Sequence, residues 1–374
     1  MRRPSMVLSA ALFLGLGAAF AIPAPVPAES GKTHPFSVHD MLAMDRISDS
    51  RVSPDGKWIV FNVRETDLEA NRGRTDIWIV GADGAGLRRL TAHPSADWNA
   101  RWSPCGKCIF FLSTRSGSSQ VWQIKIDGGE AEQITRLPLD IGNLVVAPDS
   151  GTLAVTMEVF PGESPEATAK KLEALASRKA TGRLYDKLFV RHWDTWSDGR
   201  RSHLFVVPKT GGDAKDLTPA MEADTPSKPF GGTEEIAFSP DGEGLVFTAR
   251  DVGREEAWSV DLDLYYVPVD GSRPPACLTE ANRATDMAPA FSPDGKTLAY
   301  LAMARPGYEA DRLRLVLKPW PEGDARVLTE AWDASVGSFS WSADGAKILA
   351  AAADKGQTAL FAVDVAAGKA STVV

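Results

Sequence analysis

Short runs of alternating apolar and polar residues recur in groups along the chain, with a period of about 45 to 50 residues, and each group reads as strands separated by turns. Within a group the pattern is a short strand, a tight corner, an apolar strand, a loop, a third strand, a glycine-rich turn and a closing strand. The second strands are Trp58-Ile59-Val60-Phe61, Ile109-Phe110-Phe111-Leu112, Leu153-Ala154-Val155, Leu245-Val246-Phe247, Leu298-Ala299-Tyr300 and Ile348-Leu349-Ala350. The closing strands carry Leu90-Thr91, Ile134-Thr135, Leu217-Thr218, Leu278-Thr279 and Leu328-Thr329. The corner repeats as Ser53-Pro54-Asp55-Gly56, Ser103-Pro104-Cys105-Gly106, Ala147-Pro148-Asp149-Ser150-Gly151, Ser239-Pro240-Asp241-Gly242, Ser292-Pro293-Asp294-Gly295 and Ser342-Ala343-Asp344-Gly345. Proline presets φ, Asp bonds its own backbone, and Gly supplies the positive-φ position that closes a hairpin.

Four strands per repeat predict an all-β fold, a β-propeller with blades at about 45–92, 97–137, 141–219, 233–280, 286–331 and 336–374. Six repeats are detectable, and an incomplete seven-bladed ring stays open as an alternative. Strand direction alternates, so the first-to-second and third-to-fourth connections share one rim, and the remaining connections share the other. The first rim carries only tight turns. The second carries the long charged segments Arg64 to Thr75, Glu158 to Ser202, Asp251 to Leu262 and Arg305 to Asp311, and function is expected there. The longest departure is an insertion at 158–202. Ser164 as cap, Pro165 in first position and Gly182 as terminator predict a surface helix with Leu172 and Leu175 on one side. Behind it, the segment from Arg183 to Trp196 reads as an extra hairpin. Either it packs Trp193 and Trp196 into the blade, or it edges a ligand cavity with Arg191 and Trp193.

The N-terminus reads as an address: Arg2 and Arg3 precede an apolar run from Met6 to Ile22, and small residues suited to cleavage follow at Ala19-Phe20-Ala21 and Val26-Pro27-Ala28. Residues 1–28 are therefore expected to be a signal peptide and leader, residues 29–374 the propeller, and the location periplasmic or secreted; the alternative for the apolar run, which is near the short limit for a spanning helix, is an uncleaved membrane anchor. No membrane contact is expected after leader cleavage. The formal charge of −8 becomes about −10 without the two arginines, which argues for solubility and against a polyanion-binding surface, so nucleic acid is not an expected partner. Three cysteines are too few for a disulfide scaffold. Cys105 and Cys108 lie in a strand corner, and with only Cys277 besides they do not make a zinc site; two plain thiols or a local disulfide remain.

Catalytic motifs are missing from the 374 residues. There is no G-x-S-x-G, no H-E-x-x-H among five histidines, no phosphate loop and no dinucleotide fingerprint, so no catalytic residue, metal or cofactor is expected here. One loop carries candidate binding chemistry, from Arg250 to Ser259. Glu255 and Glu256 beside Trp258 could hold a ligand's ammonium group, or the loop is a solvated one in which Arg254 neutralises a neighbour.

The S-P-D-G repeats, the leader, the opening Val38-His39-Asp40-Met41-Leu42-Ala43-Met44-Asp45-Arg46-Ile47-Ser48 and the phrases Tyr185 to Trp196 and Gly253 to Ser259 resemble the propeller of exported bacterial peptidases of the prolyl oligopeptidase (S9) family. Within it the dipeptidyl- and acylaminoacyl-peptidase branch is most similar; S-P-D-G repeats alone are shared with TolB-like propellers. The resemblance implies a propeller that caps an α/β-hydrolase domain, gates entry to short peptides and helps grip the substrate N-terminus. It makes Glu255, Glu256, Arg254, Trp258, Arg191 and Trp193 the candidate substrate-binding residues. The chain stops at Val374 where that family continues into further propeller and the hydrolase domain, so the expectation is a gating part that is inactive alone. The alternative is a free-standing TolB-like propeller that binds a protein partner.

Overall fold

In the computed structural model, which describes residues 34–149 and 151–374, six four-stranded antiparallel sheets stand in a ring. The leader and Ser150 of the third corner lie outside the described residues. Blade 1 holds Arg46–Val52, Trp58–Asp67, Arg72–Gly81 and Arg88–Arg89, and blade 2 holds Asp97–Trp102, Cys108–Ser113, Gln120–Lys125 and Glu132–Gln133. Blade 3 holds Ile141–Val146, Thr152–Val159, Arg201–Pro208 and Lys215–Asp216, and blade 4 holds Ile236–Phe238, Gly244–Ala249, Asp263–Pro268 and Ala276–Cys277. Blade 5 holds Asp286–Phe291, Thr297–Ala302, Arg314–Pro319 and Arg326–Val327; blade 6 holds Val336–Trp341, Lys347–Asp354, Gln357–Asp364 and Ala370–Thr372. Residues 34–42 make a separate small unit, in which Ser37 Oγ and the Ser37 N–H both donate to Asp40 at the start of helix Val38–Ala43.

The Ser-Pro-Asp-Gly corners close through side-chain hydrogen bonds of their own. Ser53 Oγ donates to Asp55 Oδ1 at 2.6 Å and accepts the Trp58 N–H at 2.9 Å, while Asp55 Oδ1 accepts the Lys57 N–H at 3.1 Å. Ser292 repeats the set with Asp294, Thr297 and Lys296. The closing glycines need the left-handed region, with φ of +72° at Gly56 and +70° at Gly295. These bonds favour the ionised carboxyl, and Asp55, Asp241, Asp294 and Asp344 are all held below the usual range, first by the Ser hydroxyl and then by the backbone N–H. In blade 2 Cys105 takes the Asp position and its Sγ meets Ser103 Oγ at 3.1 Å.

The recurring Leu-Thr pairs lie just beyond the two-residue closing strands, not within them. Thr91, Thr135, Thr218, Thr279 and Thr329 each use the side-chain hydroxyl to accept a backbone N–H, from Ile77, Val121, Leu204, Leu264 and Leu315 respectively, at 2.9 to 3.1 Å. One donor in each of these third strands is thereby satisfied just beyond the reach of the short fourth strand. The leucine of the pair goes into the core between blades, as Leu90, Leu217 and Leu328 do.

Five apolar clusters join blades 1 to 2, 2 to 3, 3 to 4, 4 to 5 and 5 to 6; Phe110, Val155 and Phe205 share one, Phe247, Leu204 and Phe238 another. No such cluster joins blade 6 to blade 1 among the described residues, and the first strand of blade 1 is exposed along nearly its whole length. Arg101, on the first strand of blade 2, makes a polar clasp elsewhere in the ring. Its guanidinium donates to Asp49 Oδ2 of blade 1 and to Thr233 Oγ1 ahead of blade 4, both at 2.7 Å.

Candidate functional site

Of the four long segments, the insertion and the stretch from Asp251 to Leu262 meet, whereas Arg64 to Thr75 is no loop: it extends the second and third strands of blade 1, which pair as far as Asp67 and Arg72. Helix Pro165–Ala176 begins with the predicted cap, Ser164 Oγ accepting the Ala167 N–H at 3.2 Å, and packs Ala169 and Leu172 on the core between blades 2 and 3. It ends at Ser177 and not at Gly182, because residues 178–182 offer no large apolar side chain to bury and Ser177 Oγ donates to the Ala174 carbonyl. The hairpin pairs Arg191–His192 with Thr195–Trp196, turning at Trp193 with φ +48°. It does not pack its indoles into the blade. Trp193 is 68 % exposed and Trp196 54 %, and Trp193 meets Phe230 edge-on at 5.4 Å. Arg191 lies over the Trp196 ring and donates to the Trp193 carbonyl, so it stabilises the hairpin itself.

An ion-pair network ties the insertion to the neighbouring blade. Arg201, at the head of the third strand of blade 3, donates to Glu256 through both terminal nitrogens, at 2.8 and 2.5 Å, and to Asp224 at 2.9 Å. Burial works against the Arg201 charge, but the two carboxylates more than offset it and hold its pKa above the ordinary value. Lys228 bridges Glu158 and Asp224, and Lys187 pairs with Glu222. None of Arg201, Asp224, Glu158 and Lys228 is singled out by sequence, since charges in polar stretches read as solvated faces.

Glu255 and Glu256 sit on the 3-10 turn Gly253–Ala257 but do not form a pair aimed at one point. Glu256 is held by Arg201, whereas Glu255 is exposed and has no ion-pair partner among the described residues. Trp258 stands 72 % exposed beside it. Arg254 does not neutralise a neighbour: it too has no ion-pair partner among the described residues, and it lines a cleft of about 300 Å³ with Tyr185, Asp186, Lys187, Leu188, Val190 and Trp258. The insertion therefore does edge a cavity, through Tyr185 to Val190 and not through Arg191 and Trp193. A larger open groove of about 600 Å³ lies on the tight-turn rim of blade 4, between Gly242-Glu243 and Asp270 to Arg273, so that rim is less bare than expected.

Below the turn, at the junction of blades 4 and 5, lies an acidic group that sequence reading missed. Asp261, Asp263 and Asp286 are buried. Thr279 Oγ1 donates to Asp263 and Asn282 Nδ2 to Asp286, while Asp261 has only a charge contact with Arg283 at 3.2 Å and no hydrogen bond. Burial, with added repulsion from Asp263 and Asp261, pushes Asp286 up to about 8. Burial also raises Glu235 to about 7, although Ser227 donates to it through both N–H and Oγ. Among the described residues no group of His, Cys, Asp and Glu is arranged to hold a metal ion, and all three cysteines are free thiols. No helix among them is long and apolar enough to cross a membrane.

Comparison with known proteins agrees with this architecture. The family profile described as TolB beta propeller domain (PD40) matches residues 44–162. Dipeptidyl-peptidase 5 of Porphyromonas gingivalis is 29 % identical over 332 residues, covering 88 % of this chain and 48 % of that protein. The chain thus spans about half the length of the curated relatives it matches. Among solved structures, the acylaminoacyl peptidase of Pyrococcus horikoshii aligns over 89 % of this chain and 46 % of its own, with a TM-score of 0.64 and 15 % identity. The propeller domain of the trilobed protease from Pyrococcus furiosus, described as having an open velcro topology, aligns over 88 % of this chain and 83 % of its own, with a TM-score of 0.57 and 14 % identity. These structural likenesses carry the fold, and the sequence likeness carries the kinship: the chain is a TolB-type β-propeller related in sequence to the dipeptidyl-peptidase 5 proteins.

Proposed function

We propose that the chain is the substrate-gating propeller of an exported S9 serine peptidase of dipeptidyl- or acylaminoacyl-peptidase type. The nucleophile, the general base and its orienting carboxylate then come from an α/β-hydrolase partner domain, and the chemistry is acyl transfer to Ser and then to water. The observation that carries this reading is the crowding of large exposed apolar side chains on the long-loop rim. Leu184, Leu188, Trp193, Trp196, Phe230 and Trp258 all project there, on elements tied together by the Arg201, Lys228 and Lys187 ion pairs. A rim of that kind suits a face that meets another domain and a peptide.

On this rim Glu255 is the carboxylate left to receive a peptide's ammonium group, with Trp258 as the apolar wall. Glu256 acts through Arg201 by fixing the turn. The test uses the propeller together with its hydrolase domain and compares peptides with free and blocked N-termini. Glu255→Gln should lower kcat/KM about tenfold on free N-termini and leave blocked ones unchanged. Equal loss on both would remove the amine-binding role. The 374-residue chain alone should not turn over chromogenic dipeptide substrates, and clear hydrolysis by it would overturn the gating assignment.

A second reading, a free-standing propeller that binds a protein partner, is favoured by the TolB-type profile over residues 44–162. Leader cleavage and release to the periplasm or medium belong to both readings and are checked by N-terminal sequencing of the exported protein.

A further inference from the structure

The cleft between the insertion and the 3-10 turn has an unusual charge arrangement. Three charged residues line it: Asp186, Lys187 and Arg254. The Lys187 ammonium is taken by Glu222 at 2.9 Å. Asp186 and Arg254 have no ion-pair partner among the described residues, and although they line the same cleft they are not within ion-pair distance of each other. The rest of the lining is Tyr185, Leu188, Val190 and Trp258, of which Leu188 is half exposed and Trp258 largely exposed. The volume of about 300 Å³ falls at the lower end of small-molecule sites.

One uncompensated cation and one uncompensated anion in the same largely apolar cleft match a small zwitterion with an apolar side chain. We propose that this cleft binds a free short peptide of dipeptide size, its carboxylate on Arg254, its ammonium on Asp186 and its apolar side chain against Trp258 and Leu188. The planar guanidinium takes a carboxylate through two parallel N–H donors, and the Asp186 carboxylate accepts from an ammonium. The surrounding field selects against a ligand of net charge. With Lys187 paired to Glu222, the remaining charges of Asp186 and Arg254 cancel, so the lining offers no net charge to attract a charged ligand. The inference rests on the reading of this rim as the peptide-facing one and goes beyond it, because the ligand is a free dipeptide held at both ends and not the N-terminus of a longer substrate at Glu255.

The test is calorimetric titration of the whole chain with Leu-Ala, N-acetyl-Leu-Ala, Leu-Ala-amide and free leucine. Leu-Ala should bind, and blocking either end should weaken it about tenfold. Leucine, which has both charges but a shorter span, should bind more weakly than Leu-Ala, and leucine binding as tightly would replace the dipeptide by an amino acid as occupant. Arg254→Gln should abolish the preference for the free carboxylate and keep the preference for the free amine; Asp186→Asn should do the reverse. Arg273→Gln, in the groove on the opposite rim, should change neither. The proposal is overturned if all four ligands bind alike, if none binds, or if the two variants do not separate the two ends. Failure here with a positive Glu255→Gln result in the two-domain enzyme would remove this cleft and leave the gating assignment standing.

Discussion

The two rims of the propeller are built on different principles. On the tight-turn rim a Ser-Pro-Asp-Gly corner is closed within six residues by its own Ser, Asp and Gly, so the same bonds recur in blades 1 and 5 irrespective of their neighbours. On the long-loop rim of blades 3 and 4 the partners are far apart in sequence: Arg201 with Glu256, Lys228 with Glu158, Lys187 with Glu222. A locally satisfied rim is robust and repetitive. A rim held by distant charges can diverge blade by blade, and its geometry is set only when the whole ring has formed.

Removing Arg201 should give the largest contrast between them. It leaves Asp224, which is buried, with only Lys228 as a counter-charge, and it frees Glu256 and the turn that carries Glu255 and Trp258. Arg201→Ala is expected to cost about 3 kcal/mol in urea unfolding, at the low end for breaking a buried pair because Arg201 is partly exposed. Amide exchange should rise across 253–258 and in the 185–196 segment, and stay unchanged in the S-P-D-G corners. A uniform rise over both rims would show that they are one cooperative unit.

The next largest effect is a pH dependence confined to the long-loop side. Asp286 carries a folded-state pKa raised to about 8, by burial first and then by Asp263 and Asp261, against an ordinary value near 4 in the unfolded chain. Between these values the folded state holds a proton that the unfolded state releases, so this group makes stability fall as pH rises through that window. Glu235, pushed up to about 7 by burial, acts in the same direction. The groups facing Asp286 are Asp263, Asp261, Asn282 and Thr279, with Arg283 reaching only Asp261. Asp97 occupies the same register position in blade 2, seven residues before the corner proline, and there Arg115 neutralises it at 2.5 Å. Asp286→Asn is therefore expected to stabilise the protein by about 2 kcal/mol at pH 9 and by little at pH 4, and to flatten, without abolishing, the decline in Tm between them. A gain that is equal at both pH values would mean that Asp286 is not protonated in the folded state.

The same division explains what is legible in the sequence. Period, strand number and corner chemistry are local properties, and Ser292, Asp294 and Gly295 state their conformation within one tetrapeptide. The capping of the insertion helix by Ser164 is likewise local, but its end is not: Gly182 reads as a stop, and the helix ends earlier for want of apolar surface to cover. The pairing of Glu256 with Arg201 spans 55 residues and two blades, so adjacent glutamates that read as one acidic pair separate into a structural and an exposed partner. The Leu-Thr phrase is visible as a repeat, while its hydrogen bond to the third strand emerges only in three dimensions. The acidic group at 261, 263 and 286 is invisible in sequence because Asp286 joins Asp261 and Asp263 only where blade 4 meets blade 5.

The smallest expected effect tests the local rim on its own terms. Ser292 Oγ donates to Asp294 Oδ1 at 2.7 Å and accepts the Thr297 N–H at 3.0 Å, and the residue is nearly buried. Ser292→Ala removes both bonds. The Thr297 N–H loses its acceptor, and Asp294 loses the first cause of its depressed pKa while keeping the Lys296 N–H. The expected cost is about 1 kcal/mol, the net value of a partly exposed hydrogen-bonded turn. A second signature follows from the titration: the Asp294 carboxyl should move toward its ordinary range, followed by carbon-13 NMR, with the other corner aspartates unmoved. If Ser292→Ala instead loosened the Arg201 network across blade 4, the turn rim would be transmitting order to the loop rim, and the separation of local from distant construction would not hold.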